Sequence, residues 1–184
     1  MYLIGITGLI GSGKDTVANH IIKKYNYKHI NFGNIVGEFT SKIGRELTRE
    51  NYQLTRKEFD QKYGKEFFSK EVMKIIKERK WERVVITGFR NPEDVEPIRR
   101  ETGQNMILVS IDSDEKTRFE RLKKRKFPRD PKTIEDFHVQ EKNESEIFSI
   151  QTVVSMADYH IVNSGTFQEL EKNVDNFMKE HKLI

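Results

Sequence analysis

A chain that opens Tyr2-Leu3-Ile4-Gly5-Ile6-Thr7 and continues Gly8-Leu9-Ile10-Gly11-Ser12-Gly13-Lys14-Asp15-Thr16 has few folds open to it. The first six residues are apolar or β-branched and predict a strand, while the run from Val17 has helical spacing, so the glycines stand at a strand-to-helix turn. Glycines at 8, 11 and 13 let the backbone bend around an anion so that successive N–H groups point inward. A helix starting near Lys14 adds its positive dipole end. Such a loop holds phosphates; the bland alternative is a tight turn with incidental glycines. Gly8, Gly13 and Lys14 satisfy the spacing Gly-x-x-x-x-Gly-Lys, but Asp15 stands where Ser or Thr is usual and Thr16 follows one residue later. Lys14 is the group expected on the outer phosphates, and Thr16 is the expected Mg²⁺ ligand.

A strand of this kind needs neighbours, and 184 residues supply enough for one compact domain. No apolar run approaches the ~20 residues of a membrane helix, so no membrane partner is expected. Met1 leads straight into the strand without the features of a signal or transit peptide, from which a cytoplasmic location is expected. The chain has no cysteine, which excludes a disulfide, a thiolate metal site and a thiol nucleophile. A net charge of +4 is spread over interspersed Lys, Arg, Asp and Glu. That pattern describes a solvated mixed surface, and nucleic acid is not an expected partner.

The remaining elements follow in order. Val17 to Tyr25 predicts a helix with His20 on its surface, and Lys28 to Phe32 a short strand. Gly33-Asn34 is expected as a turn before a helix through Ile35, Val36, Phe39 and Ile43. Asn31 and Asn34 are suited either to hold an acceptor or to shape the turn. Residues 45–80 read as two polar helices separated at Gly64, with Arg45, Arg49 and Arg56 as undecided phosphate or surface residues. Arg83 to Thr87 is the near-continuous β-branched run of a strand buried on both faces. Gly88-Phe89-Arg90 ends it, and Asn91 with Pro92 and Asp94 caps a helix. Arg90 thus stands at the carboxyl end of a central strand, where open α/β sheets bind ligands. The alternative is that it only pairs with the following helix.

Asn105 to Ile111 predicts another strand, and Asp112-Ser113-Asp114 a cap. Arg118, Arg121 and Arg125 recur at helical spacing, with Arg129 beyond them, and Phe119 and Leu122 form the buried side. The stripe either clamps phosphate or is solvated. Phe127 to Pro131 breaks this helix, and Thr133 with Asp136 restarts another as a capping box. Asp158 to Asn163 is the last strand, Ser164-Gly165 turns, and Thr166 with Glu169 caps a final helix.

Four patches carry a family resemblance: Gly8 to Thr16, Val84 to Arg90, Arg118 to Arg125, and Met156-Ala157-Asp158-Tyr159 through Asn163-Ser164-Gly165-Thr166. In order and spacing the chain resembles the nucleoside monophosphate kinase superfamily, and within it dephospho-CoA kinases and archaeal adenylate-kinase-related, dephospho-CoA-kinase-like proteins. The resemblance implies an α/β P-loop NTPase fold with a parallel five-stranded sheet flanked by helices. It divides the chain into a core (1–33, 81–112, 156–184), an acceptor-binding cap (about 34–80) and a lid (about 113–155). It also implies ATP and Mg²⁺ as cofactors and a small phosphorylated or nucleotide-like acceptor as partner. On this reading ATP is held by Gly8, Gly11, Ser12, Gly13, Lys14, Asp15, Thr16, Asn163 and Gly165, and the acceptor by Asn31, Asn34 and Arg90. Lys14, Arg90, Arg121 and Arg125 would be catalytic and Thr16 the metal ligand. Two positions depart: Thr87 stands where those relatives carry an Asp that organises Mg²⁺, and Asn34 where an acid often contacts the acceptor. The competing expectation is an ATP-binding switch or ATPase that docks a nucleic-acid or protein partner on the arginine stripe.

Overall fold

The computed structural model describes residues 1–125, 127 and 130–184. Arg129 and the Pro128 of the expected helix break lie outside them. In chain order the elements are β1 (Tyr2–Thr7), α1 (Lys14–Tyr25), β2 (Lys28–Asn31), α2 (Phe32–Lys42), α3 (Arg49–Tyr63), α4 (Phe67–Glu78) and β3 (Arg83–Thr87). Then come α5 (Pro92–Thr102), β4 (Met106–Asp112), α6 (Glu115–Arg125), α7 (Ile134–Ile147), α8 (Ile150–Ser155), β5 (Tyr159–Val162) and α9 (Phe167–Glu180). The five strands form one parallel sheet in the order β2-β3-β1-β4-β5. β1 is central, so its glycine loop emerges at the middle of the carboxyl edge, with the ends of β3 and β4 on either side.

The alternation of each strand explains why the apolar runs are unbroken. Leu3, Val84, Ile86 and Leu108 face one way, into a layer completed by α2, α4, α5 and α8. Ile4, Ile6, Val85, Val109 and Ile161 face the other way, against α1 and α9. Each such side chain, fully buried, contributes about 1.5–3 kcal/mol. Gly5 has no room for a side chain: a Cβ there would lie 2.9 Å from Leu108 Cδ1 and 3.0 Å from Phe89 Cε2. On the second face His20 is not a free surface residue. It meets Glu171 Oε1 at 3.1 Å and Asp175 Oδ1 at 2.8 Å, tying α1 to α9.

Local capping follows the expected positions. Asn91–Asp94, Thr133–Asp136 and Thr166–Glu169 all form capping boxes, and Gly64 ends α3. One boundary differs. β2 stops at Asn31, whose Oδ1 accepts from the Asn34 N–H at 3.2 Å, so Phe32, Gly33 and Asn34 form the first turn of α2 instead of a strand end and a turn. An asparagine at a helix N-cap satisfies one of the orphan backbone donors, and that local bond outweighs one more strand residue.

Parts of the segments expected as cap and lid pack directly on the sheet. From 34–80, Ile35, Val36, Phe68, Val72 and Ile76 belong to the sheet's own core layer. From 113–155, Ile150 and Val153 of α8 do so too. From these two segments α3, α6 and α7 contribute side chains to the cleft at the carboxyl edge.

Candidate active site

The glycine loop is a cradle that side chains would fill. Gly8, Gly11 and Gly13 have φ of 144°, 77° and 94°. A Cβ on Gly8 would come within 2.6 Å of the Ile111 carbonyl oxygen, and one on Gly11 within 2.7 Å of that of Arg118. Positive φ and lack of space both demand glycine here. Lys14 opens α1 and donates from Nζ to the Leu9 carbonyl at 3.1 Å, across the loop. Burial, reinforced by the nearby Arg90 charge, pulls its pKa down to about 8. The loop, Lys14, Asp15 and Thr16 line a cleft of about 990 Å³ that continues past Asn31 and Asn34 to Arg49, Arg90 and Glu144.

The arginines of α6 divide by what they touch. Arg118 is buried and does not line the cleft. It donates to the carbonyls of Ile10 and Ser113, each at 3.2 Å, pairs with Glu141, and stacks over Phe137 with its guanidinium 5.2 Å from the ring centre. It braces the glycine loop from behind. Phe119, expected on the buried side, is half-buried against Phe137. Arg121 and Arg125 do line the cleft. Arg125 is engaged by Asp130 through two bonds of 2.9 and 2.5 Å. Arg121 donates to Ser113 Oγ at 2.9 Å, Asn163 Oδ1 at 3.0 Å and the Ser12 carbonyl at 3.4 Å, and has no carboxylate partner among the described residues. Burial lowers its pKa from the usual arginine value.

Three residues expected to bind ATP do not line the cleft. Asn163 is buried, and its Nδ2 donates to the Ser12 carbonyl at 2.8 Å while its Oδ1 accepts from Arg121. It therefore acts on the site by positioning the loop and Arg121. Ser12 supplies that carbonyl, and its own buried hydroxyl has no hydrogen-bond partner among the described residues. Gly165 belongs to the turn before α9, against the capping carboxylate of Glu169.

At the far end of the cleft, Asn31 both caps α2 and donates to Thr87 Oγ1 at 2.8 Å, and Thr87 also meets His29 Nε2 at 2.9 Å. The Asn31 amide is the donor in the first bond, and the Thr87 hydroxyl, with two lone pairs and one proton, can serve either tautomer of His29 in the second. Burial lowers the His29 pKa and favours its neutral form. A hydrogen-bonded chain of Asn31, Thr87 and His29 thus closes the carboxyl end of β3. Of the three undecided arginines, Arg45 pairs with Glu58 away from the cleft, whereas Arg49 and Arg56 line it. Arg56 is committed to fully buried Asp94, at 2.5 and 3.3 Å. Its burial is outweighed by that carboxylate, and its pKa is raised. The Arg90 backbone N–H donates to Asp94 Oδ2 at 2.8 Å, but its side chain reaches out to Glu144 Oε2 at 2.5 Å and lies over Phe148.

Glu144 escaped the sequence reading because Gln140-Glu141-Lys142-Asn143-Glu144 looks like a solvated helix face. A signal was present nonetheless. Phe137, Glu141 and Glu144 follow at spacings of four and three and are an inward stripe of α7, and Phe148 follows as its C-cap.

The donor set can be tested against a nucleotide and its metal. The glycine cradle and the depressed Lys14 fit phosphate oxygens. Asp15 and Thr16 offer hard oxygen ligands beside it, and Thr7, also lining the cleft, has a buried hydroxyl without a hydrogen-bond partner among the described residues. Mg²⁺ is characteristically held by one or two protein oxygens together with substrate phosphates and waters, which matches this sparse set. Among the described residues no three His, Asp or Glu side chains converge as an all-protein metal site. No helix of these residues is long and apolar enough to cross a membrane.

Comparison with known proteins bears on this geometry. The AAA domain family matches residues 7–138. UPF0200 protein MJ1399 of Methanocaldococcus jannaschii is 36% identical over 182 residues, covering 98% of this chain and 90% of its own. Among solved structures, shikimate kinase from Bacteroides thetaiotaomicron superposes with a TM-score of 0.57 at 18% identity, with 98% of each chain covered. A sugar kinase from Janibacter sp. HTCC2649 does so with 0.56 at 13%, covering 97% of this chain and 93% of that one. At such identities the likeness is one of fold, and it is the fold of P-loop kinases. Loop, sheet order and sequence matches together make this chain a member of the UPF0200 family, built on a P-loop domain of the AAA type with a kinase-like α/β fold.

Proposed function

We propose that the protein is an ATP-dependent phosphotransferase acting on a small anionic acceptor, of the nucleoside monophosphate or dephospho-CoA kind. The observation that carries this reading is the pairing of Lys14 and Arg121. Both flank one glycine cradle, and neither is hydrogen-bonded to a carboxylate among the described residues, so two cations face the place where a polyphosphate would lie without an ion-pair partner in contact. Lys14 and the loop amides would take the outer phosphates of ATP. Thr16, with Asp15 beside it, would hold Mg²⁺, which neutralises charge developing on the phosphates. Arg121, assisted by Arg125, would meet the migrating phosphoryl group, and Arg90, with Asn31 and Asn34, the acceptor. Phosphoryl transfer asks mainly for positioning and charge stabilisation, and this chain supplies both without a nucleophile of its own.

The kinase neighbours support the reaction class and leave the acceptor open. The rival reading, a switch that docks nucleic acid on the α6 stripe, loses support because Arg118 is buried and Arg125 is paired with Asp130. The test is to incubate the purified protein with Mg-ATP and a panel of acceptors, including AMP, CMP, dephospho-CoA and shikimate, and to follow ADP against a no-acceptor control. Acceptor-dependent ADP formation is expected with one class. ATP turnover that no acceptor accelerates would refute the proposal.

A further inference from the structure

Glu144 joins three segments distant in sequence. Its Oε1 lies 2.5 Å from an Arg49 guanidinium nitrogen at the start of α3, and its Oε2 lies 2.5 Å from Arg90 after β3. The carboxylate side chain is 13% exposed, whereas Arg49 and Arg90 are 47% and 39% exposed toward the cleft mouth. Among the described residues, each of these arginines has Glu144 as its sole carboxylate side-chain partner. One carboxylate thus sits between two guanidinium groups on the acceptor side of a cleft whose other end is the phosphate cradle.

We propose that Glu144 is a tethered competitor for the acceptor's anionic group, and that Arg49 acts with Arg90 as a specificity-determining residue for a dianionic group. The word acceptor rests on the phosphotransferase reading; the competition itself does not. Each arginine gives Glu144 a single N–H, although a guanidinium carries five donors in a fork that suits bidentate oxyanions. Two positive charges face one negative charge, so the pair is left with an excess of +1. A phosphomonoester dianion that replaces Glu144 balances both positive charges and engages both forks; a carboxylate monoanion only repeats what Glu144 already does. An incoming dianion therefore displaces Glu144, and with it frees α7 from α3 and the β3 end. The tether places the competitor at a high effective concentration and suppresses binding of weak monoanions. Measured affinity for the dianion is correspondingly reduced by the fraction of molecules in which Glu144 has left.

The experiment is calorimetric titration of inorganic phosphate, and separately of acetate, into protein saturated with a non-hydrolysable Mg-ATP analogue, so that the glycine loop is filled. Glu144→Gln keeps the shape and removes the charge. It should bind phosphate about tenfold more tightly than the wild type, the effect of raising an open fraction near one in ten to near one. Adding Arg49→Ala to Glu144→Gln should abolish the gain, and acetate should bind more weakly than phosphate throughout. Glu144→Asp, too short to span both arginines but still charged, is the second variant should Glu144→Gln fold poorly, and its phosphate affinity should also rise. Phosphate binding unchanged or weakened in these variants would overturn the competitor. Failure of the ATP analogue to bind would instead strike the phosphotransferase reading, and phosphate could then still be titrated directly against Arg49 and Arg90.

Discussion

Raising the pH from 7 to 9 strips most of the positive charge from Lys14 in the nucleotide-free protein, because its pKa is held at about 8 by burial and by Arg90. The unperturbed value is 10.5, so the fold bears an unfavourable contribution on the order of 3 kcal/mol below pH 8. The sign is that of a depressed base. The unfolded chain binds the proton more tightly, so stability rises with pH between about 8 and 10.5, and the penalty is complete below pH 8. A bound polyphosphate reverses the imbalance by placing negative charge against the ammonium, which raises the pKa back toward its unperturbed value. Nucleotide binding must then take up about half a proton at pH 8, about 0.9 at pH 9 and about 0.1 at pH 7, and affinity should fall about tenfold from pH 7 to 9. Titration of a non-hydrolysable Mg-ATP analogue at pH 8 in buffers of different ionisation enthalpy reads the uptake directly. Lys14→Arg retains a charge that does not titrate in this range, and should bind with no uptake at pH 8. Wild-type binding without buffer dependence, or equal uptake in Lys14→Arg, would refute the placement of Lys14 against phosphate.

Three further outcomes are expected. Arg121→Ala should lower kcat by roughly 10²-fold or more with a smaller change in the KM for ATP, as for loss of a preorganised charge. Arg125→Ala should cost less, because Asp130 already neutralises Arg125; equal losses in steady-state assays would contradict the division of the stripe. Asp94→Ala strips buried Arg56 of its counterion and α5 of its capping carboxylate, and should destabilise by about 3–5 kcal/mol in urea unfolding. A change under 1 kcal/mol would show that the pair is not buried as described. Gly13→Ala should abolish analogue binding, since φ is 94° and the new Cβ would meet Asn163 Nδ2 at 2.3 Å; retained affinity would mean that the loop is not the binding cradle.

What the chain declares locally, it declares in its sequence. The strand-loop-helix at Tyr2 to Val17, the doubly buried runs of β3 and β4, and the capping boxes at Asn91, Thr133 and Thr166 depend on neighbours within a few residues. Their spacing is therefore enough to predict the α/β class and the phosphate loop. The fate of each arginine depends instead on partners far along the chain. Arg118, Arg121 and Arg125 share one helix and one spacing, yet Arg118 is drawn into the protein by Glu141, 23 residues away, and Arg121 is held at the cradle by Asn163, 42 away. Arg49 and Arg90 are brought together by Glu144, 95 and 54 residues distant. Asn163 and Asn31 have the polarity of ligand-binding residues, but an amide drawn away from water must find partners, and packing presents buried Asn163 with the Ser12 carbonyl and half-buried Asn31 with the Thr87 hydroxyl. Periodicity tells which face of a helix a charge occupies. Only the tertiary structure decides whether that face meets water, a carboxylate or the cleft, because charge pairing is settled by distances that no local pattern encodes.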